Sequence, residues 1–114
     1  MNKYCDRLYN DGYVSVKPDS VSINEYLTGQ EITYHIDSKE SGSVISVLSL
    51  LSPATMLFKN KHKTFNVEVL PRMLSQMSGE IRNLWQHAIS PVKDTRYSIV
   101  FRCSPQAEKH ENNS

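Results

Sequence analysis

Long apolar runs are missing from this chain. No stretch approaches the ~20 residues that a bilayer-spanning helix requires, so no membrane partner is expected. The opening residues, Met1-Asn2-Lys3-Tyr4-Cys5-Asp6-Arg7, hold no hydrophobic segment that could act as a secretory signal, which makes an intracellular setting, cytoplasm or nucleus, the expectation. Cysteine is scarce: Cys5 and Cys103 have no zinc-site spacing, and two such residues in an intracellular chain read as free thiols. An excess of one charge is lacking too, with 13 basic against 12 acidic residues and a net charge of +1. That balance excludes the global positive field of strong nonspecific nucleic-acid binders and leaves only local contacts to such a ligand. Extended helical periodicity and internal repeats are absent from the middle of the chain.

What is present suits one β-rich core. A chain of 114 residues with 39% hydrophobic and 22% charged residues is globular and sized for a single domain. The first thirteen residues carry no firm assignment, with room for a short N-terminal helix. Val21–Tyr26 alternates as a strand with one polar face, and Leu27-Thr28-Gly29-Gln30 reads as a turn before an extended run from Glu31 to Asp37. These two strands are expected to form a hairpin or to meet across a corner, bringing Asn24 and Tyr26 towards His35. Val44–Leu51 is the most apolar run and the predicted central strand, and Pro53 ends it. Ala54–Lys59 and Phe65–Leu70 alternate about the turn Lys59-Asn60-Lys61-His62-Lys63. Those lysines read first as a solvated turn, with a phosphate-contacting patch as the alternative. Ser78-Gly79-Glu80 is a predicted turn, and Ile81–Ile89 a strand that sets Trp85 and His87 on one face. Arg96–Arg102 alternates clearly, with Tyr97, Ile99 and Phe101 on the predicted core side. Arg96, Ser98, Val100 and Arg102 then face solvent or an anionic ligand. The tail from 104 to 114 is polar and expected to be disordered. Short strands with turns between them define an all-β sandwich or jelly roll.

The chemistry concentrates at His35 and Asp37. Residues two apart on a strand leave the same face about 7 Å apart, so imidazole and carboxylate can converge on one metal ion. A second, distant His would complete the facial triad of non-haem Fe(II) oxygenases, which leaves coordination positions open. The pair alone is weak evidence, because His-x-Asp arises readily by chance. His87, beside Trp85, reads by itself as a packed core histidine.

Taken together, seven motifs in order resemble the AlkB family of Fe(II)- and 2-oxoglutarate-dependent dioxygenases. They are Ile23-Asn24-Glu25-Tyr26-Leu27-Thr28-Gly29, His35-Ile36-Asp37, Leu48-Ser49-Leu50, Leu70-Pro71-Arg72, Ser78-Gly79-Glu80, Arg82-Asn83-Leu84-Trp85-Gln86-His87-Ala88-Ile89, and Arg96-Tyr97-Ser98-Ile99-Val100-Phe101-Arg102. The last two look most like the branch with the transfer-RNA wobble-uridine hydroxylases. This resemblance implies a double-stranded β-helix over residues 1–103, with Fe(II) held by His35, Asp37 and His87. It further implies that Arg96 takes the far carboxylate of 2-oxoglutarate, helped by Tyr26 and Ser98, with Asn24 and Arg102 near the metal-bound end. A planar guanidinium suits that task, because it meets a carboxylate with two parallel donors.

The implied activity is oxidative demethylation of alkylated bases in RNA or DNA. Hydroxylation of a modified transfer-RNA wobble base and a catalytically impaired, shortened relative stay open as alternatives. So do a jelly-roll binding module without catalysis and demethylation of a protein lysine. Few residues precede the first motif, so most of the family's N-terminal lid is expected to be missing. A partner chain would then supply substrate recognition.

Overall fold

The computed structural model describes residues 2–14, 16–106 and 108. Its elements run α1 (Asn2–Asn10), β1 (Ser20–Tyr26), β2 (Ile32–His35), a 3-10 turn (Lys39–Ser41), β3 (Ile45–Leu50), β4 (Ala54–Lys59), β5 (Thr64–Val69), β6 (Leu74–Met77), α2 (Gly79–Asn83), β7 (Gln86–Ile89) and β8 (Arg96–Arg102). The strands form two four-stranded antiparallel sheets, in the orders β1-β8-β3-β6 and β2-β7-β4-β5. The fold is therefore the expected double-stranded β-helix, with α1 as its short N-terminal helix.

Alternation puts the core between the sheets. Ala54, Met56 and Phe58 of β4 are buried, while Thr55, Leu57 and Lys59 are only half-buried. From the other sheet Tyr26, Ile45, Met77 and Val100 join the same cluster. The predicted central strand is β3, which pairs with both β6 and β8. The hairpin predicted around Lys59–Lys63 is present, since β4 and β5 pair from Ala54↔Val69 to Lys59↔Thr64.

Several local expectations need correction. Of the two arrangements expected for β1 and β2, the hairpin is not formed: they belong to different sheets and meet across the corner made by the turn from Leu27 to Glu31, as the other expectation had it. The segment Gly79–Asn83 is helical, where a turn and the start of a strand were expected, so Trp85 precedes β7 and does not share a strand face with His87. In β8 the inward side is the reverse of the expected one. Arg96 and Ser98 are each 1% exposed and Val100 is buried, whereas Tyr97 and Ile99 are half-buried on the outer face. Phe101, also on that outer face, is buried and borders a second cavity that Val14, Val16 and Pro18 also line. Of the tail, Ser104 and Glu108 are held in place: Ser104 binds Asp19 through both its backbone N–H and its hydroxyl, and Glu108 accepts from the N–H and hydroxyl of Ser43. Residues 107 and 109–114 lie outside the described ones. Both cysteines are free and buried. Among the described residues no helix is long and apolar enough to cross a membrane.

Candidate metal centre and anion pocket

His35 and His87 are register partners on the neighbouring strands β2 and β7. Directly opposed residues on one face bring their side chains together, and here the ring centroids are 4.3 Å apart. Asp37, two residues past His35 where β2 has ended, turns its carboxylate to the same point. Its Oδ1 lies 3.0 Å from His35 Nε2 and 3.7 Å from His87 Nε2. One ligand atom from each residue fits within a mutual separation of 4.8 Å.

Hydrogen bonding fixes which nitrogen is offered. His35 Nδ1 lies 2.9 Å from the Thr33 carbonyl, which can only accept, so Nδ1 carries the proton. Nε2 lies 3.0 Å from the Asp37 carboxylate oxygen, so the two atoms can turn to one shared cation. Burial pushes the pKa of His87 below the ordinary imidazole value, only partly offset by the Asp37 carboxylate, which favours the neutral ring that a metal requires. This donor set, two imidazoles and one carboxylate with open positions remaining, fits Fe(II).

A residue without an assigned role in the sequence holds Asp37 in place. Arg82 of α2 is buried, and it donates from Nη1 to the Asp37 carbonyl at 2.8 Å, from Nη2 to Ser38 at 2.7 Å and from Nε to Gly42 at 2.9 Å. One guanidinium thus closes the loop that follows β2. Gly42 has φ 83, and a side chain there would run into the Cys103 carbonyl, so glycine is required on both counts. Lysine at 82 keeps the charge but cannot serve three carbonyls in one plane. We expect Arg82→Lys to cost about 2 kcal/mol of stability, read from urea unfolding; an unchanged midpoint would mean that the loop is closed by other contacts.

The opposite sheet supplies the anion pocket. Tyr26 pairs with Arg96 and Asn24 with Ser98 across β1 and β8, and Ser49 of β3 pairs with Ser98 from the other side. All five line one cavity of about 90 Å³ together with His35, Asp37 and His87. Arg96 is 1% exposed, donates from Nη2 to Ser49 Oγ at 3.0 Å and lies 4.9 Å from the centre of the Tyr26 ring. Its Nε and Nη1 are buried without a partner, and it forms no ion pair among the described residues. Burial pushes its pKa down. A buried guanidinium with two free donors is costly unless an anion meets it. Arg102 reaches Ser22 Oγ at 3.3 Å and also leaves its Nε unpartnered, while Asn24 Nδ2 lies 3.5 Å from Ser98 Oγ.

All eight sequence-predicted site residues therefore meet at one cavity, the three acid and imidazole groups on one sheet's side and the two arginines on the other. Ser49 was missed, although a serine inside the most apolar run signals a buried polar role. Arg82 had no comparable signal.

This geometry fits a 2-oxoglutarate- and iron-dependent oxygenase. The family profile described as the 2OG-Fe(II) oxygenase superfamily matches residues 1–112, and the chain belongs to it, as an AlkB-family dioxygenase that uses Fe(II) and 2-oxoglutarate. The tRNA (carboxymethyluridine(34)-5-O)-methyltransferase ALKBH8 of Mus musculus is 41% identical over 91 residues, covering 77% of this chain and 14% of that protein. An uncharacterised protein of Acanthamoeba polyphaga mimivirus is 35% identical over 130 aligned positions, covering 96% of this chain and 62% of its own length. Among solved structures, OsALKBH1 superposes with a TM-score of 0.64 at 19% identity, over 75% of this chain and 49% of that one. The Drosophila melanogaster CENP-C cupin domain gives 0.57 at 6% identity over 74% and 60%, a likeness of fold alone.

Proposed function

We propose that this chain oxidises a modified base in RNA, with iron held by His35, Asp37 and His87 and 2-oxoglutarate held by Arg96. Bound together, these groups supply oxidation of a C–H bond by dioxygen, coupled to decarboxylation of 2-oxoglutarate to succinate. The observation that carries the reading is the pairing across one cavity of a three-donor cation cluster with a buried guanidinium whose Nε and Nη1 have no partner.

The roles of the chain's own residues follow from their contacts. His35 is held in the Nε2-ligating tautomer by Thr33, and Asp37 is fixed from behind by Arg82. Ser49 holds one corner of Arg96, leaving two of its nitrogens for the far carboxylate of the cosubstrate, while the Tyr26 ring lies against the cation. Ser98 and Asn24 offer polar atoms along the cavity, and Arg102 the second positive charge near the metal-bound end.

The name of the mouse relative, a methyltransferase acting at carboxymethyluridine 34 of transfer RNA, supports a transfer-RNA base as substrate, and the oxygenase family of this chain makes hydroxylation at a modified wobble uridine the first reading. The chain spans only 14% of that relative, so this rests on the oxygenase segment alone. The test is anaerobically loaded protein given oxygen, 2-oxoglutarate and transfer RNA carrying modified wobble uridine. We expect succinate together with a one-oxygen mass gain on the RNA and no formaldehyde. Formaldehyde with loss of a methyl group would assign oxidative demethylation instead, and succinate with no change in any RNA would refute an RNA substrate.

A further inference from the structure

The turn between β4 and β5 stands beside the metal cluster for a topological reason. His35, His87, Phe58 and Phe65 are register partners in succession across β2, β7, β4 and β5, forming one transverse row on the inner face of the sheet. Their rings follow one another at 4.3, 6.4 and 4.7 Å. Lys59 and Thr64 form the next rung of the β4–β5 ladder, and Asn60–Lys63 close the hairpin beyond it. At about 3.4 Å per residue the turn therefore begins within ~10 Å of the metal row.

That turn is both charged and rigid. Asn60 Oδ1 accepts from the backbone N–H of His62 and of Lys63, each at 2.8 Å, and Asn60 N–H donates to the Lys63 carbonyl at 3.0 Å. Lys61, His62 and Lys63 are exposed, and among the described residues no ion pair engages Lys59, Lys61 or Lys63. Lys59 is steered by the Tyr34 ring, 4.0 Å from its Nζ. Next to the turn runs an open groove bounded by Ile36 and Leu84, which are 43% and 66% exposed; Ile36 stands between His35 and Asp37 in sequence. A second open groove, which shares Asn24, Tyr26, His35 and Arg102 with the metal cavity, carries Glu25 and Glu31 beside Arg102. In a chain of net charge +1, the flank at the turn thus carries basic residues without an acidic one, while the other mixes two carboxylates with Arg102.

We propose that the Lys59–Lys63 turn is the phosphate-contacting edge of the substrate surface, holding the backbone of unpaired RNA next to the target nucleotide, with Ile36 and Leu84 against a neighbouring base or ribose. The proposal rests on the RNA-oxidising reading above. It deepens that reading by assigning the flank along which the strand runs. The Asn60 lock is ordinary turn chemistry, and it is the apolar groove alongside the basic turn that points to a ligand.

The experiment uses the full chain, a short labelled unpaired RNA oligonucleotide, and anisotropy titrations across a salt series. We expect Lys61→Ala with Lys63→Ala to bind about tenfold more weakly at low salt, with the slope of log affinity on log salt shallower by about 1.4, the value for two lost contacts to a single strand. Arginine at both positions restores the parent slope, and an unchanged melting temperature shows the fold intact. A double-alanine slope equal to the parent's, in a protein that still oxidises RNA, overturns this proposal and leaves the function standing. Parent protein that makes succinate yet neither binds nor oxidises RNA overturns both. Charge-dependent binding to anionic phospholipid vesicles in place of RNA also overturns it.

Discussion

Alanine in place of His87 is expected to remove 2-oxoglutarate turnover by about a thousandfold or more, through lost iron and not through lost fold. A three-donor site has no spare ligand, and removing one imidazole leaves His35 and Asp37, a pair that many surface sites share. The fold should survive the change. His87 is buried with its Nδ1 unpartnered, so its truncation breaks no protein hydrogen bond, and β7 remains held by backbone pairing to β2 on one side and β4 on the other. The same result is expected for His35→Ala and Asp37→Ala, although the latter also leaves His35 Nε2 without the carboxylate it faces at 3.0 Å. The measurements are metal content after anaerobic reconstitution, far-ultraviolet circular dichroism and succinate release. A His87→Ala protein that retains stoichiometric iron would show that His87 is a packed core histidine, the reading its neighbour Trp85 suggests from sequence alone.

The inner sheet rows were legible as periodicity, but their orientation was not. In β8 the alternation of Arg96, Ser98, Val100 and Arg102 against Tyr97, Ile99 and Phe101 identifies two faces and says nothing about which is inside. Hydropathy favours the aromatic face, because burying guanidinium groups in an ordinary core is costly. That preference fails here because the space between the sheets is a ligand cavity lined by charge, while Phe101 on the outer face is buried and borders a second cavity that Val14, Val16 and Pro18 also line. The polar face of β1 is turned inward for the same reason, at Asn24 and Tyr26. The helix α2 escaped because Ile81 and Trp85 suit a strand as well as a helical turn, and five residues are too few to display a helical period. The candidate residues that line the cavity were named together because the order of motifs carried them. Arg82 was not, since its role depends on the Asp37, Ser38 and Gly42 carbonyls, which come together only when the loop after β2 folds under α2.

Lysine in place of Arg96 is expected to raise the Michaelis constant for 2-oxoglutarate by about a hundredfold with iron binding retained. Lysine keeps the charge but lacks the planar set of donors, and a single ammonium cannot satisfy Ser49 and a carboxylate together with the same geometry. A second substitution separates binding from structure. Arg96 is a buried charge with two idle nitrogens, so in the ligand-free protein it is a liability, and Arg96→Met should melt at or above the parent's temperature. With a redox-inert divalent ion bound, 2-oxoglutarate at a hundred times its dissociation constant should stabilise the parent by about 2.7 kcal/mol and the methionine variant by nothing measurable. Opposite signs in the two conditions are the signature of a residue kept for its ligand, since a structural arginine would lose stability in both. Equal stabilisation of parent and variant by 2-oxoglutarate would place the cosubstrate's far carboxylate elsewhere, and Arg102, whose Nε is likewise without a partner, would be the next residue to substitute.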